Sequence, residues 1–213
     1  KVLATQEAAA DDACVSSQRA DSHDAYATLH GALLGTAAYM APEMARGEHD
    51  KVGIPSDVYQ LGGILYEICT GHPPHAGESA QTCLEAARQN RIEPCDPNDD
   101  LLRIALLAMA TEPGERPDTV EELQELVRQY RLHRESLALA AKSQERLRAA
   151  AASGDYQDFS RALFGFRDAL DLWGGNVPAA VALREAEVAY ARKALERGDL
   201  DLALGLLSDD LPD

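Results

Sequence analysis

The chain has 213 residues, of which 46% are hydrophobic, so it can build a core and is not expected to be disordered. Its 36 acidic and 20 basic residues give a formal net charge of −16, which argues against nucleic acid or an anionic membrane as a partner. Only 5% of the residues are aromatic, and the abundant alanine and leucine favour helices. The sequence shows no basic segment followed by an apolar stretch at its start and no apolar run of about 20 residues, so we expect no signal peptide, no membrane segment and a cytoplasmic location.

The cysteines predict neither disulfides nor a metal site. Four are present, at Cys14, Cys69, Cys83 and Cys95. They are too few for a disulfide framework and lack the C-x-x-C spacing of a zinc site, so we expect reduced thiols, two of them buried. A metal site could be drawn from Cys69, His72, His75 and Cys83. The sequence disfavours it, because a helix would bury the first cysteine and two prolines would separate the histidines.

The first clear element along the chain is an apolar helix. Residues 1–34 show no sustained period, and residues 35–55 contain enough glycine and proline to predict a loop. Ser56 can cap a helix, and Asp57 suits its positive amino end. Residues 58–70 are apolar on nearly every side, which predicts a buried helix that ends before Gly71.

The rest of the chain also predicts helices. One is expected over residues 79–89, and another over 101–110 with Asp99 or Asp100 as its cap. Thr119 and Glu122 have the spacing of a capping box, and no glycine or proline follows before Ser153. We therefore expect one long helix that leaves a first domain and enters a second. Later breaks are predicted at Gly154, at 174–175 and at Gly198.

Three motifs resemble parts of the protein kinase large lobe. The segment GTAAYMAPE, from Gly35 to Glu43, resembles the end of a kinase activation segment. The segment DVYQLGGILYEICTG, from Asp57 to Gly71, looks like the central helix of the large lobe, and Arg116 stands where the family has a late arginine. The form of the first motif is similar to bacterial Hanks-type serine/threonine kinases.

The resemblance implies a mainly α fold, with kinase large-lobe helices joined by a long helix to a helical extension. We assign residues 1–132 to a partial kinase domain and residues 133–213 to the extension. The chain is then expected to be a carboxy-terminal fragment of a kinase, in which residues 10–34 are the activation loop.

The family also implies roles for individual residues. Glu43 should pair with Arg116 as a structural anchor, although two solvated surface charges remain the alternative. Asp57 should anchor the catalytic loop, with simple helix capping as its alternative. Gly35, Thr36 and Tyr39 should form the substrate platform.

Candidate phosphoacceptors lie in the predicted activation loop. They are Ser16, Ser17, Ser22 and Thr28. A phosphate at one of them would seek an arginine, and nearby only Arg19 and Arg46 are present. Ordinary loop hydroxyls are the favoured interpretation of any single one.

The catalytic motifs of the family are not found in this sequence. It contains no glycine-rich phosphate loop, nucleotide lysine, H-R-D base or D-F-G metal ligand. His133-Arg134-Glu135 is superficially similar to the base motif, but it lies after the A-P-E triplet and has glutamate in place of aspartate. We therefore expect this chain to have no catalytic residues, to bind no cofactor or metal, and to be inactive alone. ATP and magnesium are implied for the full-length kinase.

The carboxy-terminal part resembles tetratricopeptide repeats. Residues 162–176 look like the second helix and turn of one unit, and the segment after Gly198 looks like the middle turn of the next. The departures are a longer interval after Gly154 and a glycine pair at 174–175. A helical hairpin that binds nothing is the alternative.

The sequence therefore favours the carboxy-terminal part of a serine/threonine protein kinase, whose full-length form phosphorylates protein substrates. A non-catalytic pseudokinase scaffold that recruits a protein partner through its repeats is the second hypothesis. A homodimer formed through surfaces exposed in the fragment is the third. We also expect residues 1–34 to be disordered or exchanged between two chains.

Overall fold

The computed structural model describes residues 37–94 and 99–208, with only the backbone of Ser208. The elements of this part are all helical, which confirms the mainly α prediction. In chain order they are α1 (Pro42–Arg46), α2 (Ile54–Thr70), α3 (Ala80–Arg88), α4 (Asp100–Ala108), a 3-10 turn (Pro113–Glu115), α5 (Val120–Ser153), α6 (Tyr156–Leu172), α7 (Val177–Arg197) and α8 (Leu200–Ser208).

The helix α2 begins earlier than the sequence predicted. Gly53 is its N-cap, and Pro55 occupies a first-turn position where its missing N–H costs nothing. Ser56 is therefore the third helical residue and not the cap: its hydroxyl accepts from the Gly53 N–H at 3.3 Å. The helix ends as predicted at Gly71, which has a φ of +82° and donates its N–H to the Glu67 carbonyl.

The prediction that α2 is buried all round is wrong. One face is buried, and it packs mainly against α4. The opposite face leaves Leu61, Ile64 and Ile68 exposed by 38%, 50% and 71%. The physical reason is that an apolar side chain is buried only where a second element covers it, and no described element covers these three.

The segment predicted as a loop over residues 35–55 contains the short helix α1. Pro42 at its first position and Gly47 in the left-handed region after its last residue define its two ends. Ser79, expected as the first residue of the next helix, is instead its cap, since its hydroxyl accepts from the Thr82 N–H. Asp99, one of the two predicted caps of α4, accepts from the Leu101 N–H through its carboxylate.

The long helix α5 runs without interruption from Val120 to Ser153, so it passes through the proposed domain boundary at 132. Thr119 caps it, as predicted, by accepting from the Glu122 N–H at 3.1 Å. Glu122 reaches the N–H of Asp118 and not that of the cap, so the full capping box does not form. The first turns of α5 pack near α2 and α4, and its later turns pack against α6.

The helices α5 to α8 follow one another through short turns at the predicted glycines, and each packs against the next. The main core cluster lies among them, around Phe159, Phe166 and Tyr190. A buried polar contact joins three of the helices: the Asn176 amide donates to the Ser136 hydroxyl at 2.8 Å, and that hydroxyl donates to the Ala169 carbonyl at 2.6 Å.

Two predictions about buried side chains have clear outcomes. Tyr59 and Tyr66 lie in the segment 58–70 that was predicted to be buried, and both are fully buried core residues. Cys83 is buried, whereas Cys69 is half-buried, so only one of the two described cysteines is enclosed. Cys14 and Cys95 lie outside the described residues. None of the helices in the described part combines the length and hydrophobicity needed to cross a membrane.

Candidate functional site

Glu43 and Arg116, which are 73 residues apart, meet in a two-pronged ion pair. One guanidinium nitrogen donates to Oε1 at 2.7 Å and the other donates to Oε2 at 2.8 Å. The two side chains are 2% and 0% exposed, respectively. The geometry is therefore the buried, bidentate arrangement and not a pair of solvated surface charges.

Further contacts satisfy the remaining donors and acceptors of this pair. The Arg116 guanidinium also donates to three backbone carbonyls, which belong to Pro55, Ala110 and Thr111. The Ser56 hydroxyl donates to Glu43 Oε1 at 2.6 Å. Because every polar atom has a partner, the pair joins α1, the start of α2 and the turn after α4 without leaving a buried charge unpaired.

The environment fixes the charge state of Glu43. Burial by itself raises the pKa of this carboxyl, but the hydrogen bonds from Arg116 and Ser56 outweigh it and hold the pKa below its usual value. The guanidinium also lies 4.9 Å from the centre of the Tyr59 ring, where the π face attracts a cation.

Tyr39 is attached to α2 through a second contact. Its hydroxyl donates to Glu67 Oε2 at 2.5 Å. This hydrogen bond to the carboxylate, together with burial, raises the pKa of Tyr39 to about 12, so the phenol stays protonated at neutral pH. The Tyr39 ring also lies against Gly63, where an added Cβ would come within 3.3 Å of it. Tyr39 is therefore held by both its ring and its hydroxyl.

The structure does not bring the other predicted residues into this cluster. Asp57 lies in the first turn of α2 with an exposed side chain. Gly35 and Thr36 of the predicted platform lie outside the described residues. The same is true of the candidate phosphoacceptors Ser16, Ser17, Ser22 and Thr28.

Three residues of the site were missed by reasoning from the sequence. Ser56 was interpreted only as a cap, whereas its hydroxyl completes the ion pair. Tyr59 was expected in the core, without its role as the surface on which Arg116 stacks. Glu67 gave no local signal, because its partner Tyr39 is 28 residues away. An acidic residue on an otherwise apolar helix was the one available hint that Glu67 needs a partner.

The described residues offer no site for a magnesium ion. Within residues 37–94 and 99–208 there is no group of three or more histidine, cysteine or acidic side chains that could hold a metal. His133, the first residue of the motif similar to H-R-D, lies on α5 with its ring 4.3 Å from that of Trp173. The described residues therefore do not by themselves hold the magnesium ion that the resemblance implies for the complete kinase.

Comparison with known proteins agrees with the motifs. A family model described as protein tyrosine and serine/threonine kinase matches residues 10–127, which is more than half of the chain. The serine/threonine-protein kinase PknB of Mycobacterium leprae is 39% identical over 110 residues, covering 49% of this chain and 17% of that protein. PknB of Mycobacterium tuberculosis is 40% identical over 107 residues, covering 47% and 17%.

A third bacterial relative is the DNA damage-responsive serine/threonine-protein kinase RqkA of Deinococcus radiodurans. It is 39% identical over 100 residues, covering 43% of this chain and 14% of that protein. The chain thus spans less than a fifth of the length of the curated relatives it matches. It belongs to the protein tyrosine and serine/threonine kinase family, and within that family to the bacterial Hanks-type kinases.

Proposed function

We propose that this chain supplies the substrate platform and large-lobe helices of a protein kinase that transfers phosphate from ATP to serine or threonine of protein substrates. The observation that carries the proposal is the buried Glu43–Arg116 pair, which fixes the segment after Tyr39 to α2 and to the turn after α4. A platform for a protein substrate must hold its shape while the substrate binds, and this pair provides a rigid support.

Tyr39 is the platform residue for which the structure gives the most support. Its hydroxyl is bonded to Glu67 and its ring lies against Gly63 of α2, so the loop between residue 37 and α1 is anchored at its middle. We propose that this anchoring sets the position of the protein substrate. Asp57, exposed at the start of α2, is proposed to hold the catalytic loop of the complete kinase.

The experiment measures steady-state kinetics of the complete kinase with a protein substrate and ATP. Tyr39→Phe removes the hydroxyl that binds Glu67, and we expect KM for the protein substrate to rise while KM for ATP stays unchanged. Tyr156→Phe is the matched control, since it removes an exposed tyrosine hydroxyl that is bonded to Asp199 in the extension. An equal rise in both KM values, or the same effect from the control, would contradict the platform role.

We further propose that the chain by itself does not transfer phosphate, since the motifs for the nucleotide, the base and the metal are not in its sequence. Calorimetric titration of the chain with ATP and magnesium should then show no binding. Saturable binding with a one-to-one stoichiometry would refute this part of the proposal and leave the platform role standing.

A scaffold function is the second candidate, and exposed apolar residues on the extension favour it. Val181, Val188 and Leu195 are at least half exposed and recur every seventh residue along α7, which places them on one side of that helix. We propose this stripe as a surface for a protein partner, on repeats of the tetratricopeptide type. If the upstream sequence carries degenerate catalytic motifs, the scaffold becomes the favoured function.

A further inference from the structure

His75 is a buried histidine that the proposed kinase role does not use. It lies in the loop between α2 and α3, with 1% of its surface exposed. Its ring stacks over that of Tyr59, with ring centres 6.1 Å apart and planes 15° from parallel. Both ring nitrogens have partners inside the protein, so the protonation state of His75 decides which hydrogen bonds can form around it.

Three contacts connect His75 to its neighbours in a line. Nδ1 lies 3.0 Å from the carbonyl oxygen of Arg91, and Nε2 lies 2.8 Å from the Tyr59 hydroxyl oxygen. That hydroxyl lies 2.5 Å from Oδ1 of Asn90. The orientation of the Asn90 amide is fixed at its other end, because its nitrogen donates to the carbonyl of Met109 at 3.0 Å.

Each of the three contacts needs one proton to become a hydrogen bond. A neutral His75 and the Tyr59 hydroxyl together supply only two. The Arg91 carbonyl only accepts and lies 3.0 Å from Nδ1, so we assign the proton of neutral His75 to Nδ1. Oδ1 of Asn90 also only accepts, so the Tyr59 hydroxyl must donate its proton to fill that contact. The contact between Nε2 and Tyr59 then has no proton unless the imidazole carries a second one.

We propose that His75 is a protonation switch. Its charge state decides whether the Tyr59 hydroxyl donates its hydrogen bond to His75 or to Asn90. In the neutral state Tyr59 donates to Nε2, and Oδ1 of Asn90 loses its donor. When His75 takes a proton from solvent onto Nε2, this N–H donates to the Tyr59 oxygen, and the hydroxyl turns to donate to Asn90. All three contacts are then made.

Burial explains why the Tyr59 hydroxyl donates to His75 and not to Asn90 when His75 is neutral. His75 and Tyr59 are both enclosed, so an unpaired Nε2 could not be hydrated, whereas Asn90 is only half-buried and water can reach its side chain. Imidazole nitrogen is also a more basic acceptor than an amide oxygen. The switch therefore places the unsatisfied contact where solvent can reach it.

The charged and titratable groups around the switch come from each element packed against it. Tyr59 belongs to α2, and Cys83 of α3 donates its thiol to the His75 carbonyl at 3.4 Å. Arg116 lies on the Tyr59 ring and is neutralised by Glu43 of α1. Burial lowers the pKa of His75, and its hydrogen bonds to backbone carbonyls oppose that shift. The switch should thus operate below the ordinary value of 6.5.

The segment that responds is the turn after α3. Asn90 is in the left-handed region, with a φ of +50°, and its side chain ties this turn to the end of α4 through Met109. Protonation of His75 adds a second tie, from Tyr59 of α2. The backbone N–H of His75 donates to the Ala38 carbonyl at 3.2 Å, so the switch also contacts the segment that carries Tyr39.

The test is a pH titration of the ¹⁵N-labelled chain by NMR, in which the ring nitrogens of His75 are observed directly. At neutral pH we expect the Nδ1–H tautomer, with Nε2 unprotonated. On acidification Nε2 should gain its proton, while the protection factor of the Asn90 backbone amide, which corrects for the slower intrinsic exchange at low pH, should rise. A neutral state protonated on Nε2 would overturn the proposal, and it can be detected without any variant.

A variant that does not touch His75 gives the second test. Asn90→Gly removes the acceptor of the protonated state but keeps the left-handed backbone, so the pKa of His75 should fall by about half a unit to one unit. Thr111→Val is the matched control. It removes another hydrogen-bond partner of the Asn90 amide, at 2.9 Å, which is not one of the three contacts that connect His75, Tyr59 and Asn90. An unchanged pKa in Asn90→Gly, or an equal shift in the control, would refute the switch.

Discussion

Replacement of Arg116 by methionine tests the ion pair that fixes the candidate platform. The variant keeps an unbranched side chain but removes the charge and every donor. Glu43, with 2% of its side chain exposed, would keep only the Ser56 hydroxyl as a side-chain donor. Three backbone carbonyls would lose their donor at the same time. Breaking a buried pair in this way costs about 3–5 kcal/mol of unfolding free energy, out of the roughly 5–15 kcal/mol of a typical domain.

The assay is urea unfolding followed by far-ultraviolet circular dichroism. The single tryptophan, Trp173, lies between α6 and α7, so its fluorescence follows the extension separately. We expect Arg116→Met to move the transition that involves α1 to α4 more than the fluorescence transition. In the double variant Glu43→Gln/Arg116→Met, the loss should be smaller than the sum of the two single losses by about 0.5–3 kcal/mol, because the two side chains interact directly.

The matched control is Arg128→Met on the exposed face of α5. Arg128 pairs with Glu125, but their side chains are 68% and 45% exposed, and such pairs contribute under about 1 kcal/mol. If Arg116→Met costs no more than Arg128→Met, the buried pair does not hold this part of the chain together. Additive losses in the double variant would lead to the same conclusion.

Three further outcomes are expected. As the pH is lowered below the usual carboxyl pKa of 4.5, the unfolding free energy should decrease more steeply in the wild type than in Glu43→Gln. The reason is that the pKa of Glu43 is lowered in the folded state, so the stability that its carboxylate contributes is lost as it becomes protonated. Gly62→Ala should cost about 1–3 kcal/mol in urea unfolding, because its Cβ would lie 2.8 Å from that of Ala108. Asn176→Ala removes a helix cap and the buried donor to a serine hydroxyl, so about 1–3 kcal/mol should be lost in the fluorescence transition.

Each of these outcomes has a result that would contradict it. Parallel pH profiles for the wild type and Glu43→Gln would mean that the carboxyl titrates normally in the fold. Gly114→Ala is the control for Gly62→Ala, since its Cβ would meet nothing within 4 Å, and equal costs would rule out a close helix contact. Asn176→Ala would contradict the polar link if it left the fluorescence transition of the extension unchanged.

Local sequence signals were enough to predict most helix ends. Serine, aspartate and threonine caps at 79, 99 and 119 act on amide groups within three residues, and glycines 71, 154 and 198 end helices through their own backbone conformation. The ion pair of Glu43 with Arg116 was expected from the family resemblance, and its geometry is present. Ser56 and Glu67 could not be assigned, because their partners lie 13 and 28 residues away and no local pattern marks them.

The sequence by itself determined the helical composition, most of the helix boundaries and the family, since these depend on neighbouring residues and on motifs read in order. Only the tertiary structure decided which face of α2 is covered and which proton partners surround His75. An apolar helix is buried only where another element reaches it, and a hydrogen-bond network depends on the distances between segments that the fold brings together. Those distances are set by the packing of α2, α3 and α4, which no short stretch of sequence encodes.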